Sequence, residues 1–197
     1  MSTQLWRQFK EGDRDAFEEI FKLYYADLIR FGINFCGSRQ RAEDHIQELF
    51  LKIWRQRETL DDVQAIRPYL WTSLRRSLMD ERSRLNRNLA FPERVADDFS
   101  LSSEEFIIRC EGLELQKRSL ARAVRSLTPR QQEVLYLKYY EGMSYEEIEE
   151  IMSISYQAAR NYLSQALRAM RKEVAASQAQ EEQVLYLLIL IVCLLQV

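Results

Sequence analysis

The sequence predicts an all-α protein: two small helical domains joined by an acidic linker, the second a helix-turn-helix domain, followed by a hydrophobic C-terminal tail. Three observations predict it. Apolar side chains recur at three- and four-residue steps through most of the 197 residues, the spacing of amphipathic helices. Only five Gly and three Pro occur, too few for a protein of strands and tight hairpins. Charge is segregated along the chain: residues 1–89 carry net +2, residues 90–112 net −4, residues 113–175 net +2 and residues 176–197 net −2. An acidic segment between two mildly basic ones is the pattern of a linker between modules, which places the domains at 1–89 and 113–175.

The first helix carries Phe17, Ile20, Phe21, Tyr24, Leu28, Phe31 and Phe35 on one broad face and stops at Gly37-Ser38. A second helix follows from about Arg41. Ile46, Leu49, Phe50, Ile53 and Trp54 form its buried stripe, and Asp44, Gln47, Glu48, Lys52 and Arg55 its outer face. His45 is expected on the solvent side of this helix. From Glu58 to Gln64 acids cluster and the periodicity lapses, as in a loop. Pro68 fits the first turn of a third helix, where its missing N–H costs nothing. That helix buries Leu70, Leu74 and Leu78 and turns Arg75, Arg76, Arg82, Arg84 and Arg87 outward.

From Asn88 to about Glu111 periodicity is poor, with Phe106, Ile107 and Ile108 suggesting an anchor at the end of the connector. Helical spacing resumes with Leu113, Lys117, Leu120, Ala121, Val124 and Leu127. Thr128 then caps a new helix with Pro129 at its first position and Gln131 completing a capping box. Val134, Leu135 and Tyr139 should face inward, and Gly142 ends the helix. Ser144, with Glu147 three residues on, opens the next helix, whose stripe is Ile148, Ile151 and Met152. Ser153-Ile154-Ser155 makes a turn, and Ser155 caps a last helix that buries Ala159, Leu163, Ala166, Leu167 and Met170. Two helices joined by a three-residue turn form a helix-turn-helix. From Tyr156 to Lys172 there are Arg160, Arg168, Arg171 and Lys172 and no acid, so the outer face suits a polyanion.

Several function classes are excluded. Cys36, Cys110 and Cys193 lie far apart in no C-x-x-C spacing, and His45 is the one histidine, so no metal site is indicated. No nucleotide-binding loop and no nucleophile–base pair appears, so neither catalysis nor a cofactor is expected. A net charge of −2 excludes a uniformly basic nucleic-acid coat. The N-terminal residues lack the apolar run of a secretory signal, which points to the cytoplasm.

Two separated blocks carry a family resemblance. Ala42-Glu43-Asp44-His45-Ile46-Gln47-Glu48-Leu49-Phe50-Leu51-Lys52-Ile53-Trp54 resembles the core-binding helix of extracytoplasmic-function (ECF) RNA polymerase sigma factors. Leu127 to Val134, followed by Gly142-Met143-Ser144-Tyr145-Glu146-Glu147-Ile148, is similar to the promoter-reading domain of the same sigma-70 superfamily. The resemblance spans roughly residues 5–174. It implies a region 2-like domain over 1–89, where Asp44, Gln47 and Glu48 meet core RNA polymerase. In that domain Arg75, Arg76, Arg82 and Arg84 hold single-stranded −10 DNA. It also implies a region 4-like domain over 113–175 that reads the −35 element. There Gln157, Arg160 and Asn161 reach base edges, and Ser164, Arg168 and Lys172 reach phosphates. Tyr69 and Trp71 fit either base stacking or the core; Tyr156 and Tyr162 fit either a backbone contact or packing on Tyr145 or Tyr140. Where relatives commonly have an amide near position 76, Arg76 stands here.

The expected function is therefore promoter-specific transcription initiation, with core RNA polymerase and promoter DNA as partners and an anti-sigma factor as the usual regulator. The alternatives are a sigma-like decoy that sequesters an anti-sigma factor, and a stand-alone helix-turn-helix regulator. Beyond a polar spacer, Val184 to Leu195 is a run of apolar residues. As a helix it would span ~18 Å, short of the ~30 Å of a bilayer core. It is expected to be covered, by the protein's own domains, by a second copy in self-association, or by a partner.

Overall fold

The computed structural model describes residues 2–63, 65–87, 99–101 and 114–178. Among the described residues the regular structure is helical throughout: α1 (Ser2–Lys10), α2 (Arg14–Cys36), α3 (Arg39–Gln56), α4 (Ile66–Arg87), α5 (Glu114–Arg125), α6 (Pro129–Leu135), α7 (Tyr145–Met152) and α8 (Tyr156–Gln178), with a π-helical stretch at Tyr136–Tyr140. The chain divides into two compact units, the first holding α1–α4 and the second holding α5, α6 and α8. The anchor expected at Phe106–Ile108 and the apolar run at 184–195 lie outside the described residues.

In the first unit α2 packs on α1, α3 and α4. Aromatic side chains fill the junction. Phe17 lies 4.9 Å from Trp54 and 5.8 Å from Phe9, and Phe21 lies 4.9 Å from Phe50, ring centre to ring centre. Each such pair adds about 0.5–1.5 kcal/mol beyond its area burial. The helix α1 is an addition to the sequence expectation. Trp6 and Phe9 are fully buried from it, and the Trp6 indole N–H donates to the Asp61 carbonyl at 3.2 Å, closing the loop before α4. The α2–α3 crossing is close because Gly32 meets Ala42, where an added Cβ would stand 2.8 Å from the Ala42 Cβ. Asp13 caps α2, accepting from the Asp15 and Ala16 amides. Gly37, at φ 67°, ends α2, and its N–H donates to the Ile33 carbonyl. Ser38 then caps α3, which starts two residues before the expected point.

In the second unit α8 packs on α5 and α6. The Thr128–Gln131 capping box forms as expected, with Pro129 in the first turn. The connector is anchored at Phe99 and Leu101, both buried. Phe99 lies 5.5 Å from Tyr136, and the Leu101 N–H donates to the Gln132 side chain at 2.8 Å. One expectation needs correcting. Continuing α6 as an α-helix would bring Tyr139 inward, but the chain widens into the π stretch, with the Glu141 N–H donating to the Tyr136 carbonyl. The extra residue in the turn puts the adjacent Tyr136 and Leu137 in the core and leaves Tyr139 half-buried. The buried Tyr136 hydroxyl donates to Glu141 at 2.8 Å, so neither polar group is stranded.

Candidate nucleic-acid interface

The helix-turn-helix is set by its caps. The Ser144 hydroxyl accepts from the Glu147 N–H at 3.2 Å, and the Glu147 carboxylate accepts from the Ser144 N–H at 2.8 Å. Two donors at the start of α7 are satisfied reciprocally, and caps of this kind contribute ~1 kcal/mol each. The Glu146 backbone N–H, and then the Ser144 hydroxyl, hold the Glu146 carboxyl below the usual range. Ser153, at φ 52°, reverses the chain in the left-handed conformation. The Ser155 hydroxyl accepts from Ala158 N–H at 3.2 Å and starts α8.

Ala159, Leu163, Ala166, Met170 and Val174 are buried from α8, and Leu167 is half-buried. Gln157, Arg160, Asn161, Gln165, Arg168 and Lys172 are exposed, with Ser164 partly so, as the periodicity predicts. Polar side chains on this face are held by their neighbours. Gln157 donates to Asn161 at 3.3 Å, Arg168 to Ser164 at 3.0 Å, and the Arg160 guanidinium lies 6.0 Å from the Tyr156 ring centre. Tyr156 packs on Tyr145 at 5.4 Å yet remains 38% exposed. The Tyr162 hydroxyl instead accepts from Arg130 at 3.3 Å, while Gln131 donates to Gln165 at 3.4 Å. The start of α6 therefore adds polar side chains to the face of α8, across more than thirty residues of sequence where no spacing rule could signal it.

In the first unit, Asp44, Gln47 and Glu48 are exposed on α3, and Leu51, 54% exposed, continues their line by one helical turn. On α4 the four expected arginines separate. Arg76 and Arg84 are exposed and Arg82 is half-buried. Arg75 does not join them: it is 7% exposed, its guanidinium lies 5.8 Å from the Phe35 ring centre, and it donates to the Met79 sulfur at 3.0 Å. Helical spacing places residues 75 and 76 about 100° apart, and the side chain at 75 falls on the α2-facing side. Trp71 is fully buried, with Tyr24 edge-on at 6.2 Å, and Tyr69 sits edge-on to Trp6 at 5.2 Å. Both rings are built into the packing.

His45 differs from expectation. Its side chain is only 12% exposed; Nδ1 lies 2.7 Å from the Ser77 hydroxyl, and Nε2 lies 3.0 Å from a Glu81 carboxylate oxygen that also accepts from Arg41 at 2.6 Å. The i, i+4 spacing of Arg41 and His45 on α3 faces Ser77 and Glu81 at the same spacing on α4. Arg41 and its partner Glu81 shift each other: the Glu81 carboxyl is lowered, first by the Arg41 hydrogen bond, and the guanidinium is raised by the same bond.

The model for sigma-70 region 2 matches residues 20–88, and the model for sigma-70 region 4 matches residues 117–170. The chain belongs to the sigma-70 family. It is 27% identical over 154 residues to the ECF RNA polymerase sigma factor SigL of Mycobacterium tuberculosis, covering 77% of this chain and 85% of that protein. It is 22% identical over 176 residues to the RNA polymerase sigma factor YlaC of Bacillus subtilis, covering 85% and 97%. Among solved structures, CnrH in complex with the cytosolic domain of CnrY superposes with a TM-score of 0.61 at 18% identity, covering 89% of this chain and 97% of that one. The sigma factor RpoE in complex with the anti-sigma factor NepR, from Bartonella quintana, gives 0.56 at 23% identity, covering 81% and 96%. This sigma factor, helical among its described residues, thus has two sigma domains, acts with core RNA polymerase and promoter DNA in transcription initiation, and is not an enzyme. No helix among the described residues is long and apolar enough to cross a membrane.

Proposed function

We propose that this ECF sigma factor divides promoter recognition between its two units. Gln157, Arg160 and Asn161 on α8 read base edges of the −35 element in the major groove, and Ser164, Arg168 and Lys172 grip the flanking phosphates. Arg76 and Arg84, with Arg82 beside them, hold the melted −10 strand, while the buried Arg75 serves the packing of α4. Asp44, Gln47 and Glu48 on α3 dock on a basic surface of core polymerase. The domain limits 1–89 and 113–175 and the connector 90–112 fit this division.

The observation that carries the proposal is the exposed face of α8, where amides and cations stand without an acid over four helical turns. A decoy that only captured an anti-sigma factor would have no use for that face. Regulation by an anti-sigma factor is part of the proposal, because the RpoE relative was solved bound to one. The protein acts where polymerase and chromosome meet, in the cytoplasm.

Run-off transcription with purified core polymerase on genomic fragments tests the whole, and charge reversal at Asp44 and Glu48 together tests the docking face. The double variant should keep its helical circular dichroism and lose at least about tenfold in core affinity, the cost of opposing rather than complementary charges at an interface. Unchanged pull-down of core polymerase would remove these residues from the interface.

A further inference from the structure

We propose that His45 is a positioning residue for promoter opening: it locks the arginine-bearing helix α4 onto the polymerase-facing helix α3, and the lock tightens when the imidazole is protonated. This rests on the division of α3 and α4 given above. Three helices meet at the lock. Arg41 reaches back to the Cys36 carbonyl at the end of α2 at 3.3 Å and forward to Glu81 on α4 at 2.6 Å. His45, one turn along α3, bridges Ser77 and Glu81, which are one turn apart on α4. The groups facing the imidazole are thus Ser77 and Glu81 from α4, Arg41 from its own helix and, behind Arg41, Cys36 from α2.

The position of His45 gives the lock its consequence. Its neighbour Asp44 and residues Gln47 and Glu48 form the exposed face of the same helix, while Ser77 and Glu81 lie between Arg76 and Arg84 on α4. A shift of α4 against α3 therefore moves the arginines relative to the polymerase-bound helix. In the neutral ring Nε2–H donates to Glu81 and Nδ1 accepts from the Ser77 hydroxyl. On protonation both nitrogens donate, the bond to Glu81 becomes charge-assisted at both ends, and the Ser77 hydroxyl turns to accept. Arg41 opposes the added charge, but its side chain is 40% exposed and screened by water. Glu81 remains ionised throughout, because its carboxyl is held below the ordinary range.

The test is promoter opening by the reconstituted holoenzyme, followed by permanganate reactivity of −10 thymines at saturating sigma factor from about pH 8 to about pH 6. The polymerase's own pH response is cancelled by taking the ratio of wild type to His45→Gln, which keeps one donor and cannot titrate. The ratio should rise roughly threefold toward pH 6, since protonation adds a donor charge to a bond whose acceptor is already ionised and turns Nδ1 into a second donor. Ser77→Ala, which keeps the Glu81 contact, should reduce that rise while leaving core affinity unchanged. A flat ratio overturns the proposal. If His45→Gln fails to fold, the same ratio is taken with Ser77→Ala as the reference, and parallel pH profiles again overturn it. Loss of core binding at every pH in the Asp44/Glu48 double variant bears on the docking face alone, so the two readings fail separately.

Discussion

Arg160 and Lys172 stand on one helix face but at opposite ends of it, and their chemistry should separate in a binding assay. Arg160 presents a planar fork beside Tyr156, so Arg160→Ala should relax preference at one −35 position by about 1–3 kcal/mol. Lys172→Ala should weaken all sequences alike and lower the salt dependence by about one counterion. Competition titrations of matched and single-mismatch duplexes distinguish the two, and identical behaviour of both variants would cancel the assignment. The residue scale is also where the sequence misled. Periodicity marks which side of a helix a residue occupies, but His45 and Arg75 lie near the boundary of a stripe, where the packing of a neighbouring helix decides. Nothing local to residues 41–45 announces that Ser77 and Glu81 will arrive opposite them.

At the scale of elements, caps and breaks were legible because their chemistry is short-range. Thr128-Pro129, Ser144 with Glu147, Ser155 and Gly37 each act on amides within a few residues, and each occurs where expected. Helix contacts were not legible, and Gly32 shows why. A glycine inside a helix reads as a weak point worth ~1 kcal/mol against alanine, yet here it admits α3 to within touching distance of α2. Gly32→Ala should therefore destabilise the first unit by about 1–2 kcal/mol despite its better helix propensity, since overpacking costs about 1–3 kcal/mol. Urea unfolding of the variant checks this; a stabilised protein would mean that α2 and α3 can separate at no cost. The paired substitution Ala42→Gly should recover part of the loss when combined with it.

For the whole molecule, the two-domain α-helical organisation and the exposed, acid-free basic face of the last helix could be read from composition, charge segregation and two motif blocks. The π stretch could not, because its five residues keep the apolar content of an ordinary helix. The overall net charge of −2 conceals a cationic face on α8, carrying Arg160, Arg168, Arg171 and Lys172. Duplex binding by the free protein should therefore be weak and strongly salt-dependent. If three or four of these cations each neutralise a phosphate, the slope of log K against log salt should be about −3 to −4. Fluorescence anisotropy on a −35 duplex over a salt series measures it. A slope near zero would show that α8 does not lie along the phosphate backbone.

The widened turn at Tyr136–Tyr140 makes this part of the protein tolerant of a change that would ordinarily be ruinous, the loss of a residue. The Glu141 N–H reaches back five residues to Tyr136, and the Met143 N–H reaches back six to Leu137, around Gly142 at φ 67°. Removing the half-buried Tyr139 would shorten those reaches to four and five, which are the spacings of an α-helix closed by a left-handed glycine. The flanking helices could then keep their places, and the Tyr136–Glu141 hydrogen bond would survive. The deletion should leave the second unit folded, with a Tm lowered by less than about 8 °C, roughly 1 kcal/mol for a domain of this size. Deleting Ala169 from the middle of α8 would instead turn every later side chain by about 100° and should abolish the transition.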